Sequence, residues 1–217
     1  MKRILYHGST SIIKAPVYGV GNKNNDYGLG FYCCSKIELG KEWAARGGNG
    51  FLNQYSIRDD RLKILDLTKE PFNNVLYWVA LLMANRTISP DMKDKYPREL
   101  KYLFDNYLVD VSKYDVVIGY RADDSYFRFP EAFVRSEITF KSLQEIFEEG
   151  QLGKQYVLIS KKAFENLKFI DYQIVEERYG IDYYHRKNEA DKTFEDLLRK
   201  DRYSNEKRMR DLVKDES

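Results

Sequence analysis

Four short apolar runs, each ended by glycine or polar residues, constrain the fold of this chain more than any other feature. Runs of this length between turn residues predict strands, and polar groups at strand ends are well placed to line a binding site. Two further strands are predicted at Phe51–Ile57 and Leu62–Leu67. The four runs are Ile4–Tyr6, Phe31–Cys34, Tyr114–Tyr120 and Gln155–Ile159.

Helices are predicted between these strands. Lys36–Arg46 has apolar residues at helical spacing, with Ser35 as its candidate N-cap and Gly47-Gly48 as its stop. Phe72–Asn85 carries a one-sided apolar stripe, which is typical of a helix packed on a core. Strands and helices mixed in this way predict an α+β fold. Shorter helices are predicted at Lys101–Leu108, Ser142–Glu149 and Lys161–Leu167.

The 217 residues suit one catalytic domain, set at residues 1–175, followed by a charged helical extension at residues 176–217. A formal net charge of +2 is too close to neutral to indicate a nucleic-acid or membrane partner. The basic cluster between Arg199 and Arg210 is interrupted by acidic residues, which is more typical of a solvated helix face than of a nucleic-acid site. Apolar residues recur at helical spacing in the extension: Phe194, Leu197, Leu198, Met209 and Leu212.

Several classes of site lack their sequence signals. The paired glycines at Gly19/Gly21 and Gly28/Gly30 do not complete a dinucleotide fingerprint, and neither a phosphate-binding loop nor a serine-hydrolase elbow occurs. The two histidines are too far apart for a local metal motif, so no metal site is predicted. Adjacent Cys33 and Cys34 are poorly placed for a disulfide and are interpreted as small buried strand residues.

The start of the chain has two basic residues but no apolar segment followed by a cleavage site. No later stretch approaches the length that a bilayer-spanning helix needs. We therefore expect a cytoplasmic protein without a membrane partner.

Three segments, taken in order, resemble the ADP-ribosyltransferases of the diphtheria-toxin and poly(ADP-ribose) polymerase branch. Leu5-Tyr6-His7-Gly8-Ser9 is similar to the first motif of that branch, and Gly28-Leu29-Gly30-Phe31-Tyr32 to its second. Trp43 follows Tyr32 by eleven residues, where the branch commonly carries another aromatic side chain. Lys154-Gln155-Tyr156-Val157-Leu158 resembles the strand that carries the catalytic glutamate, with glutamine in its place.

The resemblance extends to an uncharacterised bacterial domain family of the same superfamily and covers roughly residues 3 to 170. Members of that family often look like toxin or anti-phage modules encoded beside a small partner protein. The resemblance thus implies a small antitoxin protein as a partner. The further features that carry it are Asp26-Tyr27-Gly28, Trp78, Asn85-Arg86, Tyr114–Gly119 and Ala122-Asp123-Asp124.

By this resemblance the chain binds NAD as a co-substrate. His7 would hydrogen-bond the ribose, the backbone of Gly8 would hold the carboxamide, and Ser9 could add a hydroxyl contact. Tyr32 and Trp43 would flank the nicotinamide ring. The implied catalytic residues are His7, Tyr32 and Gln155; the implied NAD-binding residues are His7, Gly8, Ser9, Asp26, Gly28, Phe31, Tyr32, Trp43, Asn85, Arg86, Asp123 and Asp124.

Gln155 is the main departure from the pattern of the branch. A neutral amide can orient a ribose hydroxyl, but it cannot compensate the positive charge that develops on the ribose. We therefore expect transfer of single ADP-ribose units, or slow hydrolysis of NAD, rather than long polymers. Asp123, Asp124 or Glu131 is a candidate source of the missing carboxylate.

The resemblance implies an ADP-ribosyltransferase-like split β-sandwich: two small, mostly antiparallel sheets across an NAD-binding cleft, with surrounding helices and the C-terminal helical extension. The implied function is mono-ADP-ribosylation of a macromolecular acceptor, protein or nucleic acid, by a bacterial toxin or defence effector. Two alternatives stay open: an NAD glycohydrolase, and an inactive NAD-binding or protein-interaction module. Each residue also has an ordinary structural interpretation, since histidine, tyrosine and tryptophan often serve only packing.

Overall fold

A computed structural model of the chain describes residues 2–122, 124–149 and 153–215. Seven strands in these residues form one mixed sheet with the order β4-β5-β6-β2-β1-β3-β7. Strands β4 and β5 are parallel, and the other neighbours are antiparallel. The strands are β1 (Lys2–Ser9), β2 (Phe31–Cys34), β3 (Gly50–Arg58), β4 (Ile64–Asp66), β5 (Val116–Tyr120), β6 (Lys154–Leu158) and β7 (Leu167–Val175).

The backbone pairing of the sheet is shortest between β1 and β2. These strands pair only at Tyr6 and Cys34, whereas β1 pairs with β3 along its whole length and β2 pairs with β6 at every residue. A continued β1–β2 register would set Gly8 opposite Tyr32, but the pairing stops before that point. The expected pair of separate sheets is therefore not what the strands form, because the Tyr6–Cys34 pairing joins the two halves into one.

Nine helices in the described residues surround this sheet, so the predicted mixture of helices and strands is confirmed. No helix in the described part of the chain combines the length and the apolar character that crossing a bilayer requires. The helices are α1 (Ile37–Ala44), α2 (Val75–Asn85), α3 (Pro90–Lys95), α4 (Pro97–Tyr107), α5 (Asp124–Val134), α6 (Phe140–Glu149), α7 (Lys161–Glu165), α8 (Ile181–Asp201) and α9 (Met209–Asp215).

Helix α2 lies at the centre of the largest apolar cluster. The stripe predicted for it, from Val75 to Met83, is buried, but Trp78, Ala80 and Leu81 are buried as well. A helix that is apolar on almost every side belongs inside a domain rather than on its surface. The side chain of Asn74 accepts a hydrogen bond from the Leu76 amide and thereby caps the first turn.

One local prediction was wrong, and one strand was missed. Ser35 does not cap α1, since Lys36 occupies the N-cap position and provides no side-chain hydrogen bond. Strand β7 was not predicted: it is an edge strand with exposed apolar residues, such as Ile170 and Ile174, and it lacks the continuous apolar run by which the other strands were found. The interpretation of Cys33 and Cys34 as buried strand residues is confirmed.

The C-terminal helices pack closely on the rest of the chain. Leu197 of α8 and Met209 of α9 are buried in the same apolar cluster as α2. The buried Asp201 carboxylate accepts hydrogen bonds from the Thr139 amide at 2.6 Å and from the Ser142 hydroxyl at 2.9 Å. The predicted apolar spacing in this segment thus corresponds to real core contacts.

Candidate functional site

A cleft of about 480 Å³ lies beside the gap between β1 and β2. Its volume falls within the roughly 300–1,000 Å³ common among small-molecule sites. It brings together residues that are far apart in the sequence. Its lining consists of Gly8, Asn22, Asn24, Asn25, Asp26, Tyr32, Trp43, Arg46, Arg86, Arg121, Ala122 and Gln155.

Gly8 lets α1 pack directly on β1. A Cβ atom at Gly8 would lie 2.2 Å from the Gly40 carbonyl oxygen, 2.4 Å from the Ala44 nitrogen and 2.8 Å from the Trp43 Cβ. No side chain larger than hydrogen fits there without moving the helix. The contact sets Trp43 beside the end of β1, where its ring lines the cleft.

Tyr32 forms another wall of the cleft and also holds the loop that precedes it. Its hydroxyl donates to the Gly28 carbonyl at 2.6 Å and accepts from the Tyr27 amide at 3.1 Å. Gly28 has a φ of +76°, a conformation that favours glycine, so the turn and the tyrosine hydroxyl fit each other. Gly28 therefore does not line the cleft, but its turn holds the Tyr32 hydroxyl in place.

His7 lies behind Tyr32 and is not among the described residues that line the cleft. Its Nδ1 is 2.7 Å from the Tyr32 carbonyl oxygen, so that nitrogen carries the proton and donates. The side chain thus bridges the strands where their backbone pairing stops. Burial lowers the pKa of His7, while the bond to Tyr32 opposes the shift. A neutral ring leaves Nε2 as a hydrogen-bond acceptor.

Phe31 and Ser9 are on the same side as His7. The Phe31 ring centroid is 4.4 Å from that of His7, and the ring also packs edge-on against Tyr55. The Ser9 hydroxyl accepts a hydrogen bond from the side-chain amide of Asn53 at 3.1 Å. Both predicted NAD-binding residues therefore support the strands in this structure rather than line the cleft.

Gln155 and Asp26 form the polar centre of the cleft. Gln155 is buried on β6, and its Nε2 donates to Asp26 Oδ2 at 2.8 Å. The same oxygen accepts from the Ala122 amide at 3.0 Å, while Oδ1 accepts from Arg86 at 2.8 Å. Burial raises the pKa of Asp26, and the bonds to Arg86, Ala122 and Gln155 oppose that shift.

Asn85 and Arg86 end α2 at the cleft. The Asn85 side-chain amide donates to the Leu81 carbonyl at 2.9 Å, and a Cβ on Gly28 would lie 2.9 Å from its oxygen. Arg86 also donates to the Ala122 carbonyl at 3.1 Å, and its guanidinium lies 4.6 Å from the centre of the Phe127 ring. Arg86 lines the cleft directly, whereas Asn85 packs under the loop at Gly28.

Sequence reasoning did not name several residues of the cleft lining, and Arg46 and Arg121 are the charged ones among them. The guanidinium of Arg121 lies 4.9 Å from the Trp43 ring centre and pairs with buried Glu42 at 3.2 Å. Arg46 donates to the Tyr183 hydroxyl of α8 at 2.7 Å. Their positions in the sequence could have indicated them. Arg46 follows Trp43 by three residues, which places both on one side of the predicted helix, and Arg121 directly follows a strand.

Helix α8 reaches both of these arginines. Besides the contact of Tyr183 with Arg46, Arg186 pairs with the Glu42 carboxylate that also binds Arg121. The C-terminal segment therefore supports one wall of the cleft, which the sequence did not predict.

The acidic residues proposed as substitutes for glutamate are placed differently from Asp26. Asp123 and the side chain of Asp124 lie outside the described residues. Glu131 is on α5, 3.8 Å from Arg135 one turn later, and does not line the described cleft. Asp26 is the only acidic residue among the described residues of the lining.

Comparisons with known proteins give one match. The family described as "Protein of unknown function (DUF3990)" matches residues 3–169, which include every described residue of the cleft lining. No curated protein matches the chain. No solved structure matches it either.

Proposed function

We propose an activity for this chain, which belongs to the DUF3990 family: transfer of one ADP-ribose unit from NAD to a macromolecular acceptor. One observation carries the proposal. Gly8, Tyr32, Trp43 and Gln155, which resemble motifs of ADP-ribosyltransferases, come from four separate segments and line a single cleft.

The reaction explains the kinds of groups found there. The bond between the nicotinamide nitrogen and ribose C1′ breaks, its electron pair leaves with nicotinamide, and positive charge develops on the ribose. The acceptor then bonds to C1′ and loses a proton. Flat rings at Tyr32 and Trp43 suit the leaving group, and the backbone of Gly8, which lines the cleft, offers hydrogen-bonding groups for its carboxamide.

The arginines of the cleft lining suit the pyrophosphate of NAD. Arg46, Arg86 and Arg121 lie along the same cleft, and guanidinium groups bind phosphate oxygens through paired hydrogen bonds. We therefore assign the pyrophosphate to these arginines, with the nicotinamide ring between Tyr32 and Trp43.

The interrupted sheet fits the same proposal. A sheet joined at one residue pair between β1 and β2 is close to the split sandwich of ADP-ribosyltransferases, with NAD bound at the split. We propose that fold for the chain, and a role as a bacterial toxin or defence effector in the cytoplasm that a small antitoxin protein restrains.

The test follows the fate of ADP-ribose. Purified protein is incubated with NAD labelled on the adenylate phosphate, alone and with a cell lysate, and nicotinamide and acceptor-bound label are measured. We expect release of nicotinamide with label transferred to lysate protein or nucleic acid. Release without transfer would identify an NAD glycohydrolase. Stabilisation by NAD without release would identify an inactive binding module.

A further inference from the structure

We infer that Asp26 positions Gln155 and supplies the negative charge that glutamine lacks, so that an aspartate–glutamine pair takes the place of a single glutamate. The inference rests on the proposed function and names how its site works. It differs from the sequence-based expectation, which looked for the carboxylate at Asp123, Asp124 or Glu131.

The amide of Gln155 has a fixed orientation. Its Nε2 donates to Asp26 Oδ2 at 2.8 Å, and a carboxylate can only accept, so the nitrogen end of the amide must face Asp26. Because the amide is planar, Oε1 is then held on the other side as an acceptor. An acceptor held in that way can orient a ribose hydroxyl, which is the task expected at this position.

The Asp26 carboxylate is itself held in place from three directions. Arg86 binds Oδ1, and the Ala122 amide and Gln155 share Oδ2. Asp26 is only 5% exposed although it lines the cleft, so water screens its charge weakly. A fixed anion at this place stabilises positive charge that develops on a bound ribose.

Burial raises the pKa of Asp26, while Arg86 and the amide donors oppose that shift and favour the charged carboxylate. In the transfer step Asp26 neither gains nor loses a proton. The glycosidic bond breaks towards nicotinamide, and the proton released by the acceptor goes elsewhere. Asp26 is therefore a positioning residue and a counter-charge rather than a base.

The experiment exchanges the two side chains. Nicotinamide release and the Kd of ADP-ribose are measured for wild type, Asp26→Asn, Gln155→Glu and the double variant. Asp94→Asn, at an exposed position on α3, is the control. We expect Asp26→Asn to lower kcat about 100-fold while the Kd changes less than threefold. Asp94→Asn should match wild type.

Gln155→Glu restores the glutamate of the branch, yet we expect it to lower release at neutral pH. It sets a second carboxyl beside Asp26, and the proton that the two groups would share occupies an oxygen needed to orient the ribose hydroxyl. The double variant keeps one carboxylate and one amide in exchanged positions, so it should release nicotinamide at least tenfold faster than Asp26→Asn. Thermal midpoints, measured in parallel, show whether each variant is folded.

The pH profile separates a charge effect from a packing effect. Activity should fall as pH drops through the raised pKa of Asp26. Arg86→Gln should move that acid limb to higher pH, because Arg86 favours the ionised carboxylate. An unshifted limb, or an Asp26→Asn enzyme within twofold of active wild type, would overturn this inference alone. A wild type that binds NAD and releases no nicotinamide overturns the proposed function and this inference with it.

Discussion

At the scale of single residues, Tyr32 combines two tasks. Its ring lines the cleft, and its hydroxyl connects the Tyr27 amide with the Gly28 carbonyl. The loop that carries Asp26 is therefore held by the same side chain that would flank the nicotinamide ring. Burial raises the pKa of Tyr32, so the hydroxyl keeps its proton throughout the physiological pH range and can donate to Gly28.

Tyr32→Phe should separate these tasks. The ring stays, but two backbone groups lose their partner, which costs about 1–3 kcal/mol of folding free energy for buried groups. We expect weaker binding of NAD because the Asp26 loop loosens. Chemical denaturation and NAD titration measure both effects. Tyr203→Phe is the control, since Tyr203 is 85% exposed. Equal behaviour of the two variants would contradict this role of the Tyr32 hydroxyl.

At the scale of elements, the position of α1 depends on glycine at the point of contact. Gly8 on β1 faces Gly40 and Ala44 of the helix, and a Cβ at Gly40 would itself lie 2.4 Å from Leu52 on β3. Because both contact positions are glycines, α1 lies closer to the sheet than it could if either residue carried a side chain. Both Trp43 and Glu42, which binds Arg121, owe their places to this contact.

Gly8→Ala should displace α1. The added methyl would meet backbone atoms, which cannot rotate away, so we expect a loss of about 1–3 kcal/mol in stability. Trp43 should move with the helix, and nicotinamide release should fall. Gly47→Ala is the matched control, because a Cβ at Gly47 meets nothing within 4 Å. A Gly8→Ala protein as stable as this control would show that α1 adapts without strain.

The sequence predicted the positions of strands and helices better than it predicted the contacts between them. Strands β1, β2, β5 and β6 were predicted at nearly their observed places, since each is a buried apolar run ended by turn residues. The single sheet was not predicted, because one pairing between Tyr6 and Cys34 decides it. Arg46, Arg121 and the bond between Asp26 and Gln155 depend on contacts between distant segments, which local patterns do not show.

At the scale of the whole molecule, the C-terminal segment belongs to the core and supports one wall of the cleft. Leu197 and Met209 are buried in the main apolar cluster, and Tyr183 and Arg186 support Arg46 and Glu42. Several of its basic residues are engaged: Arg208 is buried against the Ser136 and Glu137 carbonyls. The segment is thus part of the folded core rather than a separate arm.

Truncation after Val175 tests this description. Removing α8 and α9 would expose the cluster around Phe129, which packs edge-on against Phe194, and would leave Glu42 without Arg186. We expect the truncated chain to lose cooperative thermal unfolding or to aggregate. Circular dichroism during heating measures this. A sharp transition close to that of the full chain would show that residues 1–175 fold independently.

The central claim is that this cleft cleaves NAD, and nicotinamide release by the purified protein tests it most directly. Wild type should be compared with His7→Ala, Gln155→Ala and, as a control, His185→Ala, whose histidine is exposed on α8. We predict release by wild type and His185→Ala. His7→Ala removes the hydrogen bond to the Tyr32 carbonyl, and Gln155→Ala removes the amide from the cleft, so each should lose about tenfold or more, the equivalent of about 1.4 kcal/mol in the barrier. Release that is unchanged in His7→Ala and Gln155→Ala, or no release by wild type, would contradict the account.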